Sequence, residues 1–83
     1  MTDRPAIGIV GLGTMGLGIA QVYAQAGFPV VATDAHAPAR DSAHSRMAET
    51  LNARITAGKL TEPDRDATLS RLTVADDAAA LAP

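Results

Sequence analysis

Three glycines near the amino terminus have the spacing of a phosphate-binding turn. Gly11, Gly13 and Gly16 follow the apolar run 7–10 and lead directly into a segment with helical periodicity. Gly11 permits a tight turn, Gly13 leaves space for a pyrophosphate to approach the backbone, and Gly16 lets a helix lie close to a strand. Free amides and the positive dipole end at the start of that helix would then bind phosphate oxygens. The predicted contacts are Gly11, Leu12, Gly13, Thr14, Met15 and Gly16.

An aspartate at the end of a second apolar run supplies the other half of a dinucleotide site. The run 30–33 ends in Asp34, which lies 18 positions after Gly16, close to the spacing of about 20 expected for a carboxylate that binds the adenosine ribose. Its charge would repel a 2′-phosphate, and no arginine follows before Arg40, so the pattern favours NAD over NADP as the cofactor. The alternative is a glycine turn with a helix-capping aspartate in an unrelated α/β domain.

The elements that would position these residues alternate between strand and helix. From hydrophobic periodicity and turn residues we predict strand 6–10, helix 14–26, strand 30–33, helix 38–57, helix 62–71 and strand 72–74. Asp76 would cap a final alanine-rich turn. The order β-α-β-α-α-β predicts an α/β fold with a Rossmann-type parallel sheet, strand order 3-2-1, and a helical hairpin between the second and third strands.

The same periodicity predicts which faces are buried. The large apolar residues of the first helix form one stripe, made of Met15, Ile19, Val22, Tyr23 and Ala26. In the long helix the stripe is Ala39, Ala43, Met47, Leu51 and Ile55, and the polar cover is Arg40, Asp41, Arg46, Glu49 and Arg54. The unbroken apolar first strand predicts burial on both faces of the sheet. Gly27 is predicted to be left-handed after the first helix, and Thr61 to cap the third.

Composition excludes several other kinds of protein. The chain has 83 residues, a net charge of −2 and no basic run, which gives no electrostatic footprint for nucleic acid. It has no cysteine, and its two histidines lack metal-ligand spacing with carboxylates. No apolar run is long enough to cross a bilayer, and residues 1–5 contain no signal-peptide core. We therefore expect a cytoplasmic protein with no metal, nucleic acid or membrane partner.

The predicted sheet has an uncovered edge. In the order 3-2-1 the first strand lies outermost, yet it is also the most apolar strand, and a long apolar edge invites association. A chain of this size also buries only a modest share of its surface. We therefore expect residues 1–83 to be the N-terminal part of a dinucleotide-binding domain in a larger protein. The 83-residue chain itself is expected to self-associate through this edge.

Longer stretches of the chain resemble one enzyme family. The strings that carry the likeness are GIVGLGTMGLGIAQV at 8–22, AQAGF at 24–28, VVATD at 30–34 and GKLTE at 58–62. They closely resemble the NAD-dependent 3-hydroxyacyl-CoA dehydrogenases. The resemblance implies a full-length enzyme of fatty-acid metabolism that oxidises 3-hydroxyacyl-CoA to 3-oxoacyl-CoA, passes the hydride to NAD, and forms a homodimer through a C-terminal catalytic domain. It also implies that residues 11–16 hold the pyrophosphate and that Asp34 holds the ribose.

The resemblance implies two further contacts, with the CoA part of an acyl-CoA substrate. In the family the helical hairpin contacts CoA through a hydroxyl and a lysine, and Thr50 and Lys59 are the nearest matches here. The alternatives are that Thr50 is a solvated helix residue and that Lys59 is a cation near a helix C-terminus.

The family's catalytic groups have no counterpart among these residues. Neither His36 nor His44 matches the position of the catalytic histidine, and its partner glutamate and the substrate-binding serine and asparagine belong to a later segment. We therefore expect this chain to bind NAD at most, because no acid or base is in place for the hydroxyl proton. Two alternatives remain open: the NAD(P)-binding part of a small β-hydroxyacid dehydrogenase, and a non-catalytic nucleotide-binding module.

Overall fold

A computed structural model describes residues 5–76 of the chain. Over this range the elements are β1 Ile7–Val10, α1 Thr14–Gln25, β2 Val30–Thr33, α2 Ala37–Thr56, α3 Glu62–Ser70 and β3 Leu72–Val74. The predicted order is confirmed, and each predicted boundary lies within one residue of the observed one. The alanine-rich turn predicted after Asp76 lies outside the described residues.

The strands form one parallel sheet with β2 in the middle. β1 pairs with one edge of β2, with Ile7 opposite Val30, and β3 pairs with the other edge, with Leu72 opposite Val30. The predicted Rossmann-type order 3-2-1 is therefore confirmed. Because the strands are parallel and in register, the loops that follow β1 and β2 leave the same edge of the sheet side by side. This arrangement brings the glycine turn next to Asp34.

The hydrophobic core joins the sheet to the helices. Its members are Leu12, Leu17, Ala20, Ala24, Val30, Ala32, Ala43, Met47, Leu51 and Leu72. Ala43, Met47 and Leu51 on α2 are completely buried, which confirms the predicted stripe of that helix. Ala39 and Ile55, nearer its two ends, are partly buried.

The buried face of α1 differs from the prediction. Leu17, Ala20 and Ala24 are buried, whereas the large residues of the predicted stripe are exposed, with Met15 at 80% and Val22 at 65%. Ile19, Tyr23 and Ala26 are exposed as well. The reason is that Gly16, Ala20 and Ala24 recur every four residues and so form a helical face of their own. Their small size lets α1 lie close to the turn and the sheet.

β1 is also less buried than its sequence predicts. Ile7 and Ile9 pack against the core, but Gly8 is exposed and Val10 is 71% exposed. Within residues 5–76, β1 has a hydrogen-bonded neighbour on one side only. The prediction that β1 is an apolar edge strand is confirmed, and the prediction that both its faces are covered is wrong for this part of the chain.

The helix ends are fixed largely by the predicted turn residues. Gly27 has φ +99° after α1, which confirms its left-handed conformation. The Thr61 hydroxyl accepts a hydrogen bond from the Asp64 amide at 3.2 Å and so caps α3. Arg71 adds an unpredicted contact, because its Nη1 donates to the Ala24 carbonyl in the last turn of α1 at 2.7 Å.

Two kinds of feature are absent from residues 5–76. No helix in this range combines the length and the hydropathy of a membrane span. No group of three or more His, Asp or Glu side chains in this range is placed to hold a metal ion.

Substitution of the buried Met47 on α2 and of the exposed Met15 on α1 tests this packing. Met47→Ala is expected to lower the free energy of unfolding by about 2–5 kcal/mol, because it leaves a cavity at a fully buried position. Met15→Ala, at a position that is 80% exposed, should change it by less than about 0.5 kcal/mol. Urea denaturation followed by circular dichroism measures both. Similar losses from the two substitutions would contradict the observed orientation of α1.

Candidate functional site

The glycine turn joins β1 to α1, and the fold itself requires two of its glycines. Gly11 has φ +109°, which residues with a side chain rarely adopt. A Cβ on Gly16 would overlap the carbonyl oxygen of Gly11, so α1 can begin this close to the turn only with glycine there. Gly13 has an ordinary φ of −70°, and a Cβ there would meet open space. The fold does not need a glycine at 13, and the turn has room there for a ligand.

The first turn of α1 offers unpaired hydrogen-bond donors. The Leu17 amide donates to the Gly13 carbonyl at 2.9 Å and is the first to have a partner in the helix. The amides of residues 13–16 have no acceptor within residues 5–76, and no acidic side chain lies in the first turn. These donors and the positive end of the helix dipole suit a phosphate group. The residues present therefore fit a pyrophosphate.

Asp34 holds the glycine turn from the end of the neighbouring strand. Its Oδ2 accepts a hydrogen bond from the Leu12 amide at 2.7 Å, and its Oδ1 accepts one from the His36 amide at 2.8 Å. A carboxylate has about four lone-pair positions, so each oxygen keeps capacity for a ribose hydroxyl. The residue predicted to bind ribose thus also fixes the turn, a role that the sequence did not indicate.

These contacts lower the pKa of Asp34 below its ordinary value of 3.8. The Leu12 amide has the largest effect on this pKa, and the His36 amide has the next largest. Burial acts in the opposite direction, while the charges of His36 and Arg40 lower the pKa further. Asp34 is therefore ionised at neutral pH. Only this charged form could repel the 2′-phosphate of NADP.

Two arginines of α2, assigned from the sequence only to its polar cover, reach this region. Arg40 Nη1 donates to the Asp34 carbonyl at 2.6 Å. Arg46 Nη2 donates to the Leu12 carbonyl at 2.8 Å. No sequence motif indicates either contact, because the partners lie 6 and 34 positions away in other elements. The sequence offers only a weaker indication of these contacts, namely that both arginines lie in the first half of the helix that follows Asp34.

Comparisons with known proteins identify the family. Residues 6–82 match the family model described as the NAD binding domain of 3-hydroxyacyl-CoA dehydrogenase. The chain belongs to this family. Its cofactor is NAD, and a structural glycine turn in an unrelated α/β domain is no longer an alternative.

Individual members of the dehydrogenase family are similar over nearly the whole chain. The 3-hydroxyadipyl-CoA dehydrogenase of Escherichia coli K12 is 40% identical over 82 residues, covering 99% of this chain and 17% of that protein. A 3-hydroxybutyryl-CoA dehydrogenase of Mycobacterium tuberculosis is 38% identical over 71 residues, covering 86% and 25%. The crystal structure of 3-hydroxybutyryl-CoA dehydrogenase from E. coli K12 matches with a TM-score of 0.87 and 40% identity, covering 98% and 17%. The chain thus spans a quarter or less of the length of these relatives.

The two residues implied as CoA contacts in this dehydrogenase family lie on the helical hairpin. Thr50 is exposed on α2, and its hydroxyl donates to the Arg46 carbonyl at 3.3 Å. It borders a cleft of about 430 Å³ between α1 and α2, which Thr14 also lines. Lys59 follows α2, is exposed, and is not among the residues lining that cleft. The structure therefore brings Thr50, but not Lys59, into a cleft that reaches the start of α1.

The two histidines of the dehydrogenase domain have different surroundings. His36 is exposed just before α2, and its amide donates to Asp34. His44 Nε2 lies 2.8 Å from the Leu72 carbonyl, which can only accept, so this nitrogen carries a proton. His36 thus lies next to Asp34 at the edge of the glycine turn, whereas the His44 ring is paired with the β3 backbone.

The lowered pKa of Asp34 predicts a pH-dependent contribution to stability. Because its pKa is lower in the folded state than the unfolded value of 3.8, the contribution is present above that value and is lost as the pH falls through the folded-state pKa. The unfolding free energy of the wild type should exceed that of Asp34→Asn at neutral pH, and the difference should shrink below pH 3.8. Urea denaturation at a series of pH values measures this. A constant difference down to the lowest pH would contradict a role for the charge.

Proposed function

We propose that residues 11–16 and Asp34 are the NAD contacts of this domain. The observation that carries the proposal is the hydrogen bond from the Leu12 amide to Asp34. This bond joins the Asp34 carboxylate to a turn whose amides 13–16 have no acceptor within residues 5–76, and the proximity supports a shared ligand. These amides would donate to the pyrophosphate, and the remaining lone pairs of Asp34 would accept from the ribose hydroxyls.

We propose further that these residues serve a longer dehydrogenase with a C-terminal catalytic and dimerisation part. This is supported by the relatives, which are named for 3-hydroxyadipyl-CoA and 3-hydroxybutyryl-CoA and are several times longer. Bound NAD would supply the acceptor for the hydride of the 3-hydroxyl carbon of an acyl-CoA, and loss of this hydride together with the hydroxyl proton, which a base must take, leaves 3-oxoacyl-CoA. The present residues hold and orient the cofactor. The residue that takes the hydroxyl proton is proposed to come from the C-terminal catalytic part of that longer protein.

The CoA part of that substrate is proposed to contact the hairpin through Thr50 and Lys59. Both side chains are exposed, so both are accessible to a ligand. A lysine ammonium is a suitable partner for a CoA phosphate, and a threonine hydroxyl can donate or accept. The cofactor would thus lie at the edge of the sheet and the CoA part of the substrate at the helical hairpin.

Discrimination against NADP is proposed to depend on the charge of Asp34. Its surroundings are otherwise favourable to an anion, because Arg40 Nη1 lies 2.6 Å from the Asp34 carbonyl and α2 begins at Ala37. A 2′-phosphate would meet this positive potential if the carboxylate were absent.

Titration with NADH and NADPH, followed by nicotinamide fluorescence, tests the cofactor site. The wild type should bind NADH saturably and NADPH more weakly. Asp34→Asn keeps an acceptor for the Leu12 amide but loses the charge. It should weaken NADH binding about tenfold, because hydrogen bonds to an ionised group are lost, and bring the two affinities closer together. The exposed Asp41 provides the control Asp41→Asn. Failure of a folded wild-type chain to bind NADH would contradict the proposal.

Gly13→Ala and Gly16→Ala separate cofactor binding from folding. A Cβ at 13 meets nothing within 4 Å, so the unfolding free energy should change by less than about 1 kcal/mol. NADH affinity should nevertheless fall about tenfold, because the methyl group takes the space of the pyrophosphate. A Cβ at 16 overlaps the Gly11 carbonyl and should lower the unfolding free energy by about 1–3 kcal/mol or more. Urea denaturation and NADH titration measure these effects. Unchanged NADH affinity in Gly13→Ala would argue against phosphates at this turn.

A further inference from the structure

Arg46 makes more contacts than a solvent-facing helix residue needs. Its side chain is half-buried, and Nε donates to the Ser42 hydroxyl at 2.9 Å. Nη2 donates to the Ala39 carbonyl at 3.0 Å and to the Leu12 carbonyl at 2.8 Å. Ser42 and Ala39 belong to α2, so they hold the guanidinium in place on its own helix. The bond to Leu12 then joins this fixed cation to the glycine turn.

The Leu12 carbonyl shares a peptide unit with the Gly13 amide, so its orientation decides where that amide points. No peptide bond among the described residues is cis, and in a trans peptide the carbonyl and the N–H point in opposite directions. A Leu12 carbonyl held toward Arg46 therefore directs the Gly13 amide away from it. That amide has no acceptor within residues 5–76, and the Cβ position of Gly13 is open.

The preceding peptide unit is held as well. The Leu12 amide donates to Asp34, and the Leu12 side chain is completely buried. Both peptide planes next to Leu12 are thus fixed, one by a carboxylate and the other by a guanidinium. A turn fixed in this way loses little conformational entropy when a ligand binds to its amides.

We propose that Arg46 is a positioning residue of the dinucleotide site. It orients the Leu12–Gly13 peptide so that the Gly13 amide faces the pyrophosphate, and it does not itself contact the cofactor. This inference rests on the proposed function and adds a residue that lies outside the glycine motif. If Arg46 only anchored α2 to the core, its loss would weaken all ligands of the site alike. The two roles differ in which part of the cofactor loses affinity.

ADP-ribose and adenosine distinguish the two roles in calorimetric titrations. Both contain the ribose that Asp34 would bind, but ADP-ribose alone has the pyrophosphate. Arg46→Met should weaken ADP-ribose about tenfold and leave adenosine within about twofold of the wild type, since the ribose contact is separate. Arg46→Lys, which can return one donor to the Leu12 carbonyl, should recover part of the loss. The matched control is Arg54→Met, because Arg54 is exposed on the same helix and its side chain has no hydrogen bond within residues 5–76.

If Arg46→Met does not fold, the amide NMR resonance of Gly13 in Arg46→Lys provides a second test of the positioning role. ADP-ribose should shift the Gly13 amide resonance in the wild type and in Arg54→Met, and the shift should be smaller in Arg46→Lys at saturation. Equal losses for ADP-ribose and adenosine, unchanged ADP-ribose affinity, or an unaltered Gly13 shift in Arg46→Lys would overturn the positioning role. A folded wild-type chain that does not bind ADP-ribose would instead overturn the proposed function.

Discussion

The hydrogen bond between the Leu12 amide and the Asp34 carboxylate is the contact on which the candidate site depends. It joins the loop after β1 to the loop after β2 at 2.7 Å, and parallel pairing in register brings these loops to the same edge of the sheet. The charge on Asp34 makes this bond stronger than one between neutral groups. Ligand contact and loop conformation thus depend on the same ionised side chain.

The close approach of α1 to the turn imposes a second constraint. Gly16 has no room for a Cβ, and Ala20 and Ala24 continue the small face that packs on the core. The helix therefore begins immediately at the turn, so the unpaired amides and the dipole act at the same place. The largest fully buried side chains come from elsewhere: Leu12 in the turn, Val30 of β2, and Met47 and Leu51 of α2.

The order and boundaries of the elements follow from local signals, and these were readable from the sequence. Gly11, Gly27 and Thr61 determine the backbone conformation of the turns and helix ends where they lie. On α2, Met47 and Leu51 are large apolar residues of a single stripe, so the hydrophobic pattern predicts the buried face correctly. The buried face of α1 was not readable, because its alanines carry a weaker hydrophobic signal than the exposed Met15 and Val22. The residues of the candidate site also fall into a predictable and an unpredictable group. The glycine spacing and Asp34 form a motif that the sequence shows. The contact of Arg46 with Leu12 spans 34 positions and exists only once α2 packs against the turn.

Tyr23 and Phe28 are the two aromatic residues of the sequence, and they lie together. Their ring centroids are 5.7 Å apart with an interplanar angle of 88°, an edge-to-face arrangement. Tyr23 is 39% exposed beside the large apolar side chains of α1. Because the sequence has no tryptophan, the ultraviolet emission of the protein comes from this single tyrosine. The fluorescence of Tyr23 therefore reports on the exposed apolar face of α1. It would change if another segment of the polypeptide or a second copy of the chain packed against that face.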